Sequence, residues 1–284
     1  MKIRPLLLDA VTRLRAAGVE SAQSDARILL AHASGTELAR LPLLDEITDE
    51  QAREFEDMIM FRERRIPVQH LTGRAHFRYV DLEVGPGVFV PRPETEVMTG
   101  WAIDQLRPMI TLHHRPLAVE LCAGSGAISK AITTELTRVD LHAVELSEQA
   151  AAYAFRNLRD TLVELHVEDM AEALHQLNGT VDLVIANPPY IPLEAFESVA
   201  PEARDHDPTL ALFSGEDGLD AIKVVARVAA RLLRPAGLLC IEHADVQGES
   251  APAVVAATES FRVVRDHLDL TGRPRFVTAV RRSR

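Results

Sequence analysis

The sequence predicts an α/β protein: a mostly parallel, doubly wound sheet, preceded by a small helical bundle and a β-hairpin. Three observations carry that expectation. From about residue 117 strand-like and helix-like segments alternate, the pattern of parallel strands joined by crossover helices. The first ~75 residues instead place apolar side chains at helical spacing, as in Leu7, Val11 and Leu14. Between the two, His76 to Val90 reads "FRYVDLEV" and then "PGVFV" around Gly85-Pro86-Gly87, a hairpin signal. The expected organisation is a bundle over 1–75, a connector over 76–90 and an α/β domain over 91–284.

Each element has a local reason. Gly18 stops the first helix; a second runs from Ser24 through Ile28, Leu29 and Leu30 to Gly35. A third opens at "TDEQ", where Thr48 and Gln51 have capping-box spacing, and continues through Phe55, Met58, Ile59 and Arg62 until Pro67. Pro93 suits the first turn of the next helix, with Glu94 and Glu96 placed to complement its dipole. Then come "LAVELC", the helix "AISKAITTEL", "DLHAVEL", the helix "SEQAAAYAFRNLRD", "LVELHVED", a short helical segment and "VDLVIAN". The helix "GLDAIKVVARVAARLLRPAG", stopped by Pro-Ala-Gly, precedes the strand "LLCIEHA", a helix near "VQGESAPAVVAAT" and the strands "FRVVRDHL" and "RFVTAVR".

Composition narrows the function. A net charge of −11 argues against a broad duplex-binding surface, which needs clustered Lys and Arg; the tail "RRSR" reads as a solvated terminus. Two distant cysteines, Cys122 and Cys240, fit a reducing compartment. No apolar run approaches the ~20 residues that span a bilayer, so a cytoplasmic location is expected. Among eleven histidines there is no HExxH, and no metal site is expected; the adjacent His113 and His114 read as loop residues.

In a doubly wound sheet, ligands bind beyond the carboxyl ends of the strands. The first such loop is Glu120-Leu121-Cys122-Ala123-Gly124-Ser125-Gly126, whose small residues let backbone approach a ligand at a helix N-terminus. It has no GxxxxGK[ST] lysine, so a nucleoside triphosphate is disfavoured, whereas an acidic loop suits a cationic reactive end. Glu145 closes the second strand, where a carboxylate can accept ribose hydroxyls. After the third, Asp169 offers an acceptor for an exocyclic amine and Met170 an apolar contact for a ring. S-adenosylmethionine, with its sulfonium and ammonium groups, meets this description.

The fourth strand ends in Asn187-Pro188-Pro189-Tyr190. Two prolines stiffen the corner, so that the Asn187 side-chain carbonyl and the Pro188 backbone carbonyl form a pair of acceptors for one –NH₂. Tyr190 offers a flat face for a planar amide or base.

These segments resemble the release factor glutamine N5-methyltransferases, the PrmC/HemK family. The resemblance runs through "RRIPVQHLTGRAHF", "VGPGVFVPRPETE", "VELCAGSGAISKAI", "VIANPPYIP", "GEDGLDAIKVVARVAARLLRPAGLLCIEHA" and "DLTGRPRFVTAV". It implies a Rossmann-like S-adenosylmethionine-dependent methyltransferase sheet, and as substrate the glutamine of the Gly-Gly-Gln motif of peptide-chain release factors. By resemblance Cys122 to Gly126 line the methionine part of the cofactor, Glu145 takes the ribose and Met170 lies by the adenine. Asn187 touches cofactor and substrate, Asn187 to Tyr190 grip the amide, and Thr95 in "PRPETE" borders the pocket. The N-terminal helices would recognise the release factor. Three positions depart from the family: Cys122 for Gly, Glu145 for Asp and Met170 for an aromatic residue. The cysteine is tolerable only at negative φ. Competing readings are a nucleic-acid amino-methyltransferase that uses the same tetrad on a flipped base, and a non-catalytic adaptor for a translation factor. No general base of suitable type is evident in the sequence.

Overall fold

The computed structural model describes residues 1–283; Arg284, the last residue of the basic tail, lies outside them. The chain forms two compact units, Met1–Arg74 with Ala200–His206, and Ala75–Val199 with Asp207–Arg284.

The first unit is helical: α1 (Ile3–Ala16), α2 (Ala22–Ser34), α3 (Asp49–Glu63) and α4 (Val68–Thr72). Its core joins Leu14, Leu29, Leu30, Phe55 and Ile59. α2 begins two residues ahead of Ser24 and ends where Gly35 takes the left-handed conformation, φ +65°. The capping box on α3 closes in both directions, Gln51 N–H to Thr48 Oγ1 at 3.2 Å and Thr48 N–H to Gln51 Oε1 at 3.0 Å. α3 stops at Glu63 rather than at Pro67, because Arg65 adopts φ +66° and leaves helical geometry before the proline is reached.

Ala200–His206 belongs with this unit through charge. Glu202 accepts from Arg62 Nη2 at 2.8 Å and from Arg65 Nε and Nη2 at 2.7 Å each. Arg62, itself buried, also donates to Asp25 at 2.8 Å. Burial opposes the Glu202 charge, yet the two guanidinium groups bring its carboxyl down to about 2.

The second unit opens with the hairpin β1 (Arg74–Phe77) and β2 (Val80–Glu83). Its turn is Arg78-Tyr79, not Gly85–Gly87: Arg78 takes the φ of +51° that such a short turn requires. Glu135 clamps the Arg78 guanidinium with bonds of 2.6 and 2.9 Å. Gly85–Gly87 lies in the following loop, and a Cβ on Gly87 would sit 2.1 Å from Gln149.

α5 (Thr95–Leu106) starts with Glu94 at its cap, so Pro93 precedes the helix instead of occupying its first turn. β3 (Leu117–Leu121), α6 (Ala127–Glu135), β4 (Asp140–Glu145), α7 (Glu148–Leu158), β5 (Glu164–Val167) and β6 (Val181–Ala186) follow. After β6 come α8 (Pro201–His206, in the helical unit), α9 (Thr209–Leu212), α10 (Asp220–Leu232), β7 (Leu233–Glu242), α11 (Ser250–Ala257), β8 (Phe261–Leu268) and β9 (Pro274–Arg281). β7 begins at Leu233, so Pro235-Ala236-Gly237 lies inside the strand. It passes as an irregularity, with Ala236 at φ +63° and a register shift against β6.

Apart from the two-stranded β1–β2 hairpin, the strands form one sheet in the order β5-β4-β3-β6-β7-β9-β8, parallel except for the pairings of β9. β6 is buried along its whole length. One face packs against Met98, Ile103, Ile128 and Ile132, the other against Ile222, Val225, Leu232 and Val255. The order reverses between β3 and β6, which makes their carboxyl ends the switch point. Among the described residues no helix is long and apolar enough to cross a membrane.

Candidate active site

The register sets the site. Leu121 pairs with Ala186, and Ala186 with Ile241, so the next residues, Cys122, Asn187 and Glu242, leave three adjacent strands side by side.

Glu120 lies on the β3 face that meets α6 and is fully buried. α6 has only Gly126 at its cap, with no side chain to offer. Glu120 supplies the missing acceptor: Oε2 takes the Ser129 N–H at 2.9 Å and also the Ser129 hydroxyl. Burial, partly offset by these bonds, pushes its carboxyl up to about 8.

The glycine loop is tied to the second strand. Glu145 accepts the Gly124 N–H on Oε2 at 2.7 Å and the Ser147 N–H on Oε1 at 2.8 Å. Each oxygen keeps a second acceptor direction, which is what a vicinal diol requires. Gly124 adopts φ +55°, and a Cβ there would meet nothing within 4 Å, so its upper side is open to an approaching group. Asn157, unforeseen from the sequence, holds this loop against β2: its amide donates to Ser125 O and Glu83 O at 2.9 Å each and accepts the Glu83 N–H at 2.7 Å.

Cys122 takes φ +59°, so the condition of a negative angle set for a cysteine at this position is not met. A side chain in this region carries strain of about 1 kcal/mol or more. Its sulfur lies 3.6 Å from Met170 Sδ. Burial raises the thiol pKa, and the carboxylates of Glu145, Glu120 and Asp169 raise it further. Asp169 is exposed, and its Oδ1 accepts the Ala171 N–H at 2.8 Å. Met170 is half-buried on the core.

Asn187 Nδ2 donates to Thr95 Oγ1 at 3.2 Å. That bond fixes which end of the amide meets Thr95, and among the described residues no donor reaches Oδ1 or the Pro188 carbonyl. Pro188 is buried and Pro189 half-buried. Tyr190 packs on the core and donates its hydroxyl to Glu242 Oε1 at 3.1 Å. Its backbone carbonyl accepts from Gln247 at 3.0 Å.

Glu242 is a candidate site residue that sequence reasoning missed. Its carboxyl is buried, with burial as the main cause pushing it up to about 7; the Thr95 hydroxyl, Arg275 and Tyr190 favour the charged form. Oε2 has no well-formed hydrogen bond among the described residues. The signal was present: an acid in the otherwise apolar "LLCIEHA", at the end of the strand beside the Asn-Pro-Pro-Tyr strand.

Comparison with known proteins matches residues 6–73 to the PrmC N-terminal domain and residues 103–201 to the methyltransferase small domain. A release factor glutamine methyltransferase of Streptomyces coelicolor is 51% identical over 270 residues, covering 95% of this chain and 95% of the relative. The chain belongs to the release factor glutamine methyltransferase family. A 4-amino-L-phenylalanine/4-methylamino-L-phenylalanine methyltransferase of Streptomyces pristinaespiralis is 39% identical over 88% of this chain and 86% of its own. In fold the chain resembles a methyltransferase from Pyrococcus furiosus, with a TM-score of 0.51 at 16% identity, over 72% of this chain and 90% of that one.

Proposed function

We propose that the protein transfers a methyl group from S-adenosylmethionine to the side-chain amide nitrogen, N5, of the glutamine in the Gly-Gly-Gln motif of peptide-chain release factors. One observation carries the reading. At the switch point, two acceptors with no protein donor, Asn187 Oδ1 and the Pro188 carbonyl, stand beside an acidic glycine loop.

The residues present fit the cofactor. The carboxylates of Glu145 and Asp169 beside Cys122 suit a sulfonium and an ammonium group, the space above Gly124 admits the methionine part, and Glu145 keeps acceptor capacity for the ribose. Asp169 and Met170 flank the adenine side. When bound, the cofactor supplies an electrophilic methyl group. The protein supplies alignment. An amide nitrogen is a weak nucleophile because its lone pair is shared with the carbonyl. Asn187 Oδ1 and Pro188 O accept its two N–H bonds, fix its direction and increase its electron density. Tyr190, held by Glu242, gives the planar amide its floor. The proton freed as nitrogen bonds to the methyl carbon leaves to water.

The site also links cofactor binding to pH. Glu120, at about 8, is largely protonated at pH 7. A cation arriving nearby favours its charged form, so binding should release a proton at pH 7 and tighten as pH rises toward 8. Calorimetry in buffers of different ionisation enthalpy reads this directly, and Glu120→Gln should abolish the release.

The helical unit, matched to the PrmC N-terminal domain, is assigned to recognition of the release factor body. A cytoplasmic location accords with two unpaired cysteines. The decisive assay presents labelled cofactor with intact release factor, with the same factor carrying glutamate for the motif glutamine, with duplex DNA, and with 4-amino-L-phenylalanine. Label on the intact factor alone supports the reading; label on either of the last two in its place overturns it.

A further inference from the structure

We propose that the β4–β5 edge of the sheet carries a binding site for a divalent first-row metal ion, with zinc as its best-matched occupant, made by His142, Glu164 and His166. No local motif announces it: the three residues come from two strands. His142 pairs with Glu164 across the parallel ladder, and His166 lies two positions beyond Glu164, so all three project from one face. His142 Nδ1 and His166 Nε2 are 3.0 Å apart, and Glu164 Oε2 is 3.6 Å from His142 Nδ1. The three ligand atoms all fall within 4.8 Å of one another.

Those separations are edges of a coordination polyhedron. Two imidazole nitrogens bound to zinc at about 2.0–2.1 Å in a tetrahedron lie about 3.3 Å apart. The observed pair needs to open by only a few tenths of an ångström. A plain hydrogen bond between the two histidines accounts for two of the three groups, whereas a bound ion accounts for the convergent carboxylate as well. Two imidazoles and one carboxylate are a borderline-soft donor set suited to zinc and its neighbours rather than to magnesium or calcium. A fourth group is near: Glu168 Oε1 lies 3.9 Å from His166 Nδ1, beyond hydrogen-bond reach but within a side-chain rotation of the place where an outer carboxylate orients a metal-bound histidine.

The site has a structural consequence. β5 is a four-residue edge strand, paired only with β4, and it leads directly into Asp169 and Met170. An ion tying β5 to β4 would secure the loop assigned to the adenine. Glu164 is exposed, so water can supply a fourth ligand.

The test uses the full chain, treated with chelator and titrated with zinc chloride alone. One equivalent should bind and raise Tm, and cobalt(II) should give the visible spectrum of a low-coordinate nitrogen–oxygen site. His142→Gln and His166→Gln should each weaken zinc at least about 100-fold. Glu168→Gln, an exposed change that leaves the fold intact, should weaken it about 10-fold; His113→Gln, in an exposed loop, should not alter it. Absence of uptake by the wild-type chain in excess zinc overturns the proposal. So does unchanged uptake in the His142 and His166 variants, or equal loss in the His113 variant.

Discussion

Replacing Asn187 with alanine should lower turnover at least about 10²-fold, because loss of positioning at a reacting centre reaches that scale. The change removes one of two acceptors and leaves the proline corner intact. The acceptor removed is Oδ1, which has no donor among the described residues while Nδ2 is held by Thr95 Oγ1 at 3.2 Å. Because Asn187 also borders the cofactor, binding and chemistry must be separated. Calorimetry should show cofactor affinity changed by less than tenfold, while single-turnover transfer of labelled methyl to a release factor collapses. Wild-type turnover in this variant contradicts the role assigned to Asn187.

The second large effect is expected at Glu242. Its Oε1 receives the Tyr190 hydroxyl, and its charge favours a Thr95 hydroxyl that points its proton toward the carboxyl. Thr95 Oγ1 then presents its lone pair to Asn187 Nδ2, which leaves Asn187 Oδ1 without a donor among the described residues. A protonated Glu242 can donate to Thr95 instead and reverse the polarity of this chain. Burial places the titration near 7, so at saturating cofactor kcat should fall as the pH drops through that value. Glu242→Gln keeps the shape but can donate at any pH: kcat should drop about tenfold and the acid limb should vanish. Glu242→Ala strands the Tyr190 hydroxyl and frees Thr95, and should cost about 10²-fold. A Gln variant that retains the wild-type pH profile removes Glu242 from the account.

How much of this could be read from the chain follows from what acts locally. The Thr48–Gln51 capping box, the Gly35 stop and the alternation from β3 to β6 are short-range signals, and each reappears in the fold. The hairpin turn was misplaced because Gly85-Pro86-Gly87 looks like the better turn, whereas Arg78 holds a left-handed angle with the help of Glu135, distant in sequence. Pro67 and Pro235 were given too much weight as stops: positive φ at Arg65 ends one helix earlier, and a bulge absorbs the other proline inside β7. At the site, residues of the β3, β4 and β6 loops were visible as motifs. Glu242 and Asn157 were not, since their roles depend on strand register and on a packing contact with β2. Ala200–His206 joined the helical unit through Glu202, and nothing local in that segment signals a partner in Arg62 and Arg65.

The central claim is geometric, and a crystal structure of the protein with S-adenosylhomocysteine and a peptide containing Gly-Gly-Gln tests it most directly. The glutamine amide nitrogen should lie about 2.9 Å from both Asn187 Oδ1 and the Pro188 carbonyl, in line with the cofactor sulfur, with its plane against Tyr190. A glutamine seated elsewhere, or an Asn187 side chain rotated off the amide, would contradict the account.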